Sequence, residues 1–293
     1  MLDLNGLRFH YQQKGSGPDI ILVHAVTSNM SVWLFSNIMD VLAKDFHVTA
    51  YDMRGHGASD APASGYTSAD MAEDLRGLHL ALNLGPAIIV GHSYGAVVAT
   101  HAAVLYPAMV RGLILSDPYF PGLADLEPNL ADMEGWRDVR AALVAGGAEL
   151  GPDIDFTRLF QVVADLTPEQ KQHFSQTMGE SSLRWLLQLP RLAKTTCGRD
   201  VFAPAGLTAD RLRGIQQPLV ALYDEHTSFG ATRAFLQDSV ANITIETVPG
   251  ARHLAPLQST DAFSQLVQKH GRRISQMGAG PPAQPALEAM GAP

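Results

Sequence analysis

The chain has 293 residues, 46% hydrophobic and 17% charged, an ordinary globular balance with enough length to bury a substantial core in one large domain or two smaller ones. A formal charge of -8 excludes nucleic acid or an anionic membrane as the default partner, because both reward clustered Lys and Arg. The single cysteine, Cys197, excludes an internal disulfide and supplies no metal-ligand spacing. The first residues lack a basic start followed by an apolar run, and no later stretch is long enough to cross a bilayer; a soluble, cytoplasmic protein is the expectation.

In chain order, Leu2-Asp3-Leu4 and Leu7 to Tyr11 alternate around Asn5-Gly6, a strong hairpin signal. Short apolar runs at Ile20 to His24, His47 to Tyr51, Ala87 to Val90 and Leu113 to Leu115 read as strands buried on both faces. Helical patterns separate them, at about Val32 to Ala43, Ser68 to Leu82 and Gly95 to Leu105. Alternating strand and helix predicts a mostly parallel central sheet with helices on both faces, an α/β fold. After Asp117-Pro118 the rhythm gives way to a helical insertion, in which Phe156, Leu159, Phe160, Val163 and Leu166 recur at helical spacing, as do Leu183, Trp185, Leu186 and Leu189. Such stripes read first as packing, although helices at the strand ends are placed to roof a pocket. Strand rhythm resumes at Pro218 to Tyr223, followed by a helix at Ala231 to Gln237, a strand at Ile243 to Val248 and a helix at Thr260 to Lys269. The expected division is a core of residues 1–118 and 206–270, a helical lid of 119–205 and a Gly/Pro/Ala-rich flexible tail of 271–293.

Chemistry is suggested by Gly91-His92-Ser93-Tyr94-Gly95, a G-x-S-x-G pattern that follows a buried strand and precedes a helix. The turn strains the serine backbone, glycines on either side permit close approach of neighbouring chain, and the hydroxyl stands at a helix N-terminus. On these residues the chain resembles the α/β-hydrolase fold family from Leu4 to about Lys269. Leu22-Val23-His24-Ala25 with Trp33 resembles the family's His-Gly segment after its third strand. Tyr51-Asp52-Met53-Arg54-Gly55-His56-Gly57-Ala58-Ser59 resembles its D-x-R-G-x-G-x-S turn, and Val248 to His253 its histidine loop.

The resemblance implies Ser93 as nucleophile and His253 as base, with His56 and His92 structural. Serine needs such a base to take its proton and return it to the leaving group. The family's commonest acid position, in a turn after the strand at Pro218 to Tyr223, falls on Thr227, which cannot hold an imidazolium by charge. Asp117, at the end of the strand that the family counts as its sixth, is the expected replacement and keeps the order nucleophile, acid, base; Asp224 and Glu225 stay open as alternatives. Asp117 could instead cap the first lid helix or brace the Pro118 turn. The oxyanion donors implied are the backbone amides of Tyr94 and Val26. Ala25, where the family usually has glycine, predicts an altered oxyanion loop, with Thr27 and Asn29 at its rim.

The expected activity is a serine hydrolase cleaving a small-to-medium carboxylic ester, thioester or lactone, with a small-molecule acyl substrate and Trp136, Phe156, Phe160 and Trp185 offering an apolar lid; that activity implies no metal and no cofactor. The alternatives are a non-hydrolytic member: a cofactor-independent dioxygenase, or a ligand receptor with a vestigial triad.

Overall fold

The computed structural model describes residues 1–128 and 130–277. Leu2–Leu4 (β1) and Leu7–Phe9 (β2) pair antiparallel across Asn5-Gly6, with φ of 54° and 80°. Two successive left-handed residues match the twist of the flanking strands, which is why Asn-Gly serves there. Tyr11–Lys14 (β3) then leaves the hairpin for the main sheet.

That sheet adds Asp19–Val23 (β4), His47–Tyr51 (β5), Ala87–His92 (β6), Val110–Ser116 (β7), Leu219–Asp224 (β8) and Ile243–Val248 (β9). Its order is β3-β5-β4-β6-β7-β8-β9, antiparallel only between β3 and β5. The expected sixth strand is therefore β7 in chain order. Ile20 to Val23, Ala87 to Val90 and Leu219 to Tyr223 are almost wholly buried. Continuous apolar runs belong in strands covered on both faces. His92 pairs with Ser116 and Ser116 with Leu222, so the carboxyl ends of β6, β7 and β8 finish level. In open parallel sheets that edge is where ligands bind.

The longer helices are Ser68–Ala81 (α1), Tyr94–Leu105 (α2), Glu134–Ala145 (α3), Phe156–Ala164 (α4), Pro168–Met178 (α5), Glu180–Leu186 (α6), Gly230–Ser239 (α7) and Thr260–Gln276 (α8). On one face of the sheet Leu75, Leu78, Val97 and Leu113 join one core; on the other Trp33, Phe46, Phe263 and Val267 join a second. α1 begins with a capping box, Thr67 and Asp70 each satisfying the other's backbone amide. Among the described residues no helix is long and apolar enough to cross a membrane.

Two boundaries differ from the sequence reading. The helix expected from Val32 to Ala43 is two short ones, Ser31–Phe35 and Ile38–Leu42, because Asn37 between them is left-handed at φ 61°; asparagine tolerates that region better than most residues. The last helix does not stop near Lys269 with a tail from Gly271. It continues to Gln276, since Ile274 is fully buried and Gly271 lies so close to Phe46 that a Cβ there would sit 2.9 Å from its ring. The rest of the expected tail, 278–293, lies outside the described residues.

α3 to α6 all fall between β7 and β8. Leu159, Phe160, Val163, Leu166, Phe174 and Leu186 are buried among them, so both apolar stripes are mainly packing.

Candidate active site

Ser93 sits between β6 and α2 with φ 53° and ψ -117°, a conformation that L residues rarely adopt. The flanking glycines are required sterically. A Cβ on Gly91 would collide with the backbone of Gly95, and one on Gly95 with the carbonyl of Val23 in β4. The Ser93 amide donates to the Ser116 carbonyl at 2.9 Å, pinning the turn to the next strand. Its Oγ, half-buried, lies 3.0 Å from Nε2 of His253.

His253 follows β9 in a loop that turns at Gly250, φ 70°, whose amide donates to Glu225 at 2.7 Å. His253 is itself left-handed at φ 68°. His92 steadies it, with Nε2–H donating to the His253 carbonyl at 2.7 Å. Burial first, and then the neighbouring His253, push the His92 pKa down to about 4, so near neutrality it is an uncharged donor.

At the far imidazole nitrogen stands Asp117. Nδ1–H of His253 donates to Asp117 Oδ2 at 2.7 Å, and the carboxylate is fully buried. The Asp117 backbone, φ 45°, donates to the Leu222 carbonyl at 2.8 Å, while Oδ1 accepts the Asp224 amide at 3.3 Å. The other acids are engaged elsewhere. Exposed Glu225 holds the Gly250 turn, and Thr227 accepts the Phe229 amide at 3.1 Å, bracing its loop. Asp224 is buried; one oxygen accepts the Ala255 amide at 3.2 Å, and the other has no partner among the described residues. Burial foremost, then the nearby Asp117 charge, raise its pKa to about 7.

Opposite Ser93, the Ser28 amide closes a turn onto the Ala25 carbonyl at 3.1 Å. The residue with positive φ in that turn is Thr27, at 66°, and not Ala25. Ala25 itself therefore carries no left-handed strain in this turn. Two neutral histidines hold the turn. His56 donates through Nδ1 to the Arg54 carbonyl at 2.8 Å and accepts the Thr27 amide at 3.3 Å. His24 donates to the Ala25 carbonyl at 2.8 Å and accepts the Met53 amide at 3.0 Å. Burial lowers the pKa of both, that of His56 to about 3, which keeps the accepting nitrogens free of protons. The amides of Val26 and Tyr94 donate to no other group among the described residues. Asn29 caps Ser31 at 2.9 Å and also bonds Gln188 of the helical insertion.

Ser93, His253, Val26 and Tyr94 border a cavity of ≈ 100 Å³. Its walls include Tyr119, Met133, Ile154, Phe156, Phe202 and Phe229. Phe229 meets the His253 ring edge-on, centroids 5.3 Å apart at 80°, and Tyr119 packs on Phe229 at 5.6 Å. Of the four lid aromatics singled out from the sequence only Phe156 borders this space; Trp136 and Phe160 pack behind it, and Trp185 is not among the walls. Tyr119 and Phe229 were not found from the sequence. Adjacency to Asp117-Pro118 was the one available signal for Tyr119, and Phe229 offered none.

A strained serine between β6 and α2, a histidine after β9 and a carboxylate after β7 on this sheet define a class. The chain belongs to the α/β-hydrolase fold family, and its general class is that of a hydrolase. The family's model, described as alpha/beta hydrolase fold, matches residues 18–150. The chain is 30% identical over 263 residues to 2-(acetamidomethylene)succinate hydrolase of Mesorhizobium japonicum, covering 86% of this chain and 87% of that one. Among solved structures it is similar to a thermophilic esterase from Thermogutta terrifontis, with TM-score 0.67 and 21% identity over 92% of this chain and 94% of that one. It is also similar to the enol-lactonase of Burkholderia xenovorans LB400, with TM-score 0.65 and 20% identity over 91% and 97%. At those identities the two structures speak for the fold alone.

Proposed function

We propose that this hydrolase cleaves a small-to-medium carboxylic ester, thioester or lactone through an acyl-enzyme on Ser93. The observation that carries the reading is the continuous relay from Ser93 Oγ to His253 Nε2 at 3.0 Å and from His253 Nδ1 to Asp117 at 2.7 Å. His253 Nε2 takes the hydroxyl proton as Oγ attacks the carbonyl carbon, and the resulting imidazolium is held by the Asp117 carboxylate. The amides of Val26 and Tyr94 receive the oxyanion of the tetrahedral intermediate, Tyr94 doing so at the N-terminus of α2. Collapse expels the alcohol, thiol or ring oxygen, which takes the proton back from His253. Water, deprotonated by the same nitrogen, then frees the acid and restores Ser93. The insertion, residues 119–205, acts as the lid, supplying most of the apolar wall above the serine.

The test is labelling with a neutral fluorophosphonate, alongside turnover of p-nitrophenyl esters of graded acyl length. Stoichiometric modification of Ser93, lost in Ser93→Ala, together with multiple-turnover ester hydrolysis, is the expected result. Labelling without turnover would favour a receptor, and absence of both a non-hydrolytic role for His253.

A further inference from the structure

The acyl-enzyme reading leaves open what charge the substrate carries, and the cavity bears on it. Among the described residues that border the cavity there is no Lys, Arg, Asp or Glu. The polar side chains are Ser93, His253, the phenol of Tyr119, which burial keeps protonated, and that of Tyr94, which donates to the Tyr66 carbonyl at 3.0 Å. Two nearby basic side chains are bonded to groups outside this lining. Arg252, next to His253, donates through Nη1 to both carboxylate oxygens of Glu134, at 2.7 and 2.9 Å. Arg191 donates to the carbonyls of Gly57 and Ser59 in the turn after β5. A carboxylate entering this space would shed its hydration against Ile154, Phe156, Phe202 and Phe229 with no cation to receive it, and burying an unpaired charge is far costlier than burying a methyl group.

We propose that the substrate is uncharged over the part that enters the cavity. It is a neutral ester, thioester or lactone with an apolar acyl chain or ring, selected by the desolvation cost imposed on anionic competitors. The chain therefore does not share the dicarboxylate substrate for which its Mesorhizobium relative is named. This inference rests on the acyl-enzyme reading and narrows it.

The experiment compares p-nitrophenyl hexanoate with mono-p-nitrophenyl adipate, which have equal chain length but end in a methyl group or a carboxylate. The wild-type kcat/KM is expected to favour the hexanoate by about 100-fold or more, equivalent to about 2.7 kcal/mol at about 1.36 kcal/mol per decade. Efficiencies within about threefold, or comparable turnover of 2-(acetamidomethylene)succinate, would overturn the inference. If neither ester turned over, the acyl-enzyme reading would fail by itself. Charge is then read from thermal shifts with the matched anilides of hexanoic acid and adipic acid monoanion. Stabilisation by the neutral anilide alone supports the inference, and equal or greater stabilisation by the anionic one refutes it.

Discussion

Replacing Asp117 by asparagine tests the relay at its buried end. The side chain keeps its shape, but its two ends become distinct. One acceptor is needed for the Asp224 amide at 3.3 Å, so the amide oxygen turns there and the NH2 group faces His253 Nδ1, 2.7 Å away in the parent. A donor at that place forces the imidazole into the tautomer with hydrogen on Nε2, which cannot take the Ser93 proton. The loss should be about 10⁴-fold in kcat, or about 5.4 kcal/mol of transition-state stabilisation. Asp224→Asn changes far less, within about tenfold, since its carboxyl is half-protonated near neutrality and the amide oxygen can still accept from Ala255. Both variants would be assayed on a neutral p-nitrophenyl ester at pH 7 to 8, with active sites titrated by fluorophosphonate and folding checked by circular dichroism. If Asp117→Asn kept activity within about tenfold while Asp224→Asn lost about a thousandfold, Asp224 would be the acid and the assignment of Asp117 would fall.

Two further outcomes concern stability. The folded-state pKa of Asp224, about 7, lies above the ordinary value of about 3.9. The folded protein therefore binds the additional proton between those values, and this group's contribution is complete below about pH 4 and lost as pH rises through about 7. Asp224→Asn is permanently neutral, so its Tm relative to wild type should climb from pH 4 to 7 and level off above, whereas a pH-independent difference would contradict the assigned burial cost. Ser93→Gly should melt roughly 2–6 °C above Ser93→Ala, because only glycine adopts φ 53°, ψ -117° without strain. Calorimetry giving equal Tm values for the two would show that the elbow stores no such energy.

The proposed nucleophile was legible in the sequence because its demands are local: two glycines, a buried strand before and a helix after. The histidine was legible by its place beyond the last strand. The resemblance already favoured Asp117 over Asp224 and Glu225; what the sequence could not show is where β7, β8 and the histidine loop meet in space, and reach to Nδ1 is what separates the three. What Ala25 does to the oxyanion loop was not legible either: the positive φ of that turn falls at Thr27, which His56 holds from a different turn. Tyr119 and Phe229 are wall residues through loop geometry, which no period in the sequence encodes. Gly271 read as the start of a tail by composition, yet its missing side chain is what brings the last helix against Phe46.

Ser93, Asp117, His253 and Thr27 all hold positive φ, half of the eight non-glycine residues that do so among those described. Each such position is retained against a standing pull toward glycine or a relaxed backbone. Under the proposed acyl-enzyme mechanism, the demand for turnover is what opposes that pull. A descendant lineage freed from catalysis should accumulate replacements at these four positions first and gain heat resistance as it does so. Within this family, sequence decay at these backbone angles would then date the loss of an activity before any change in the sheet records it.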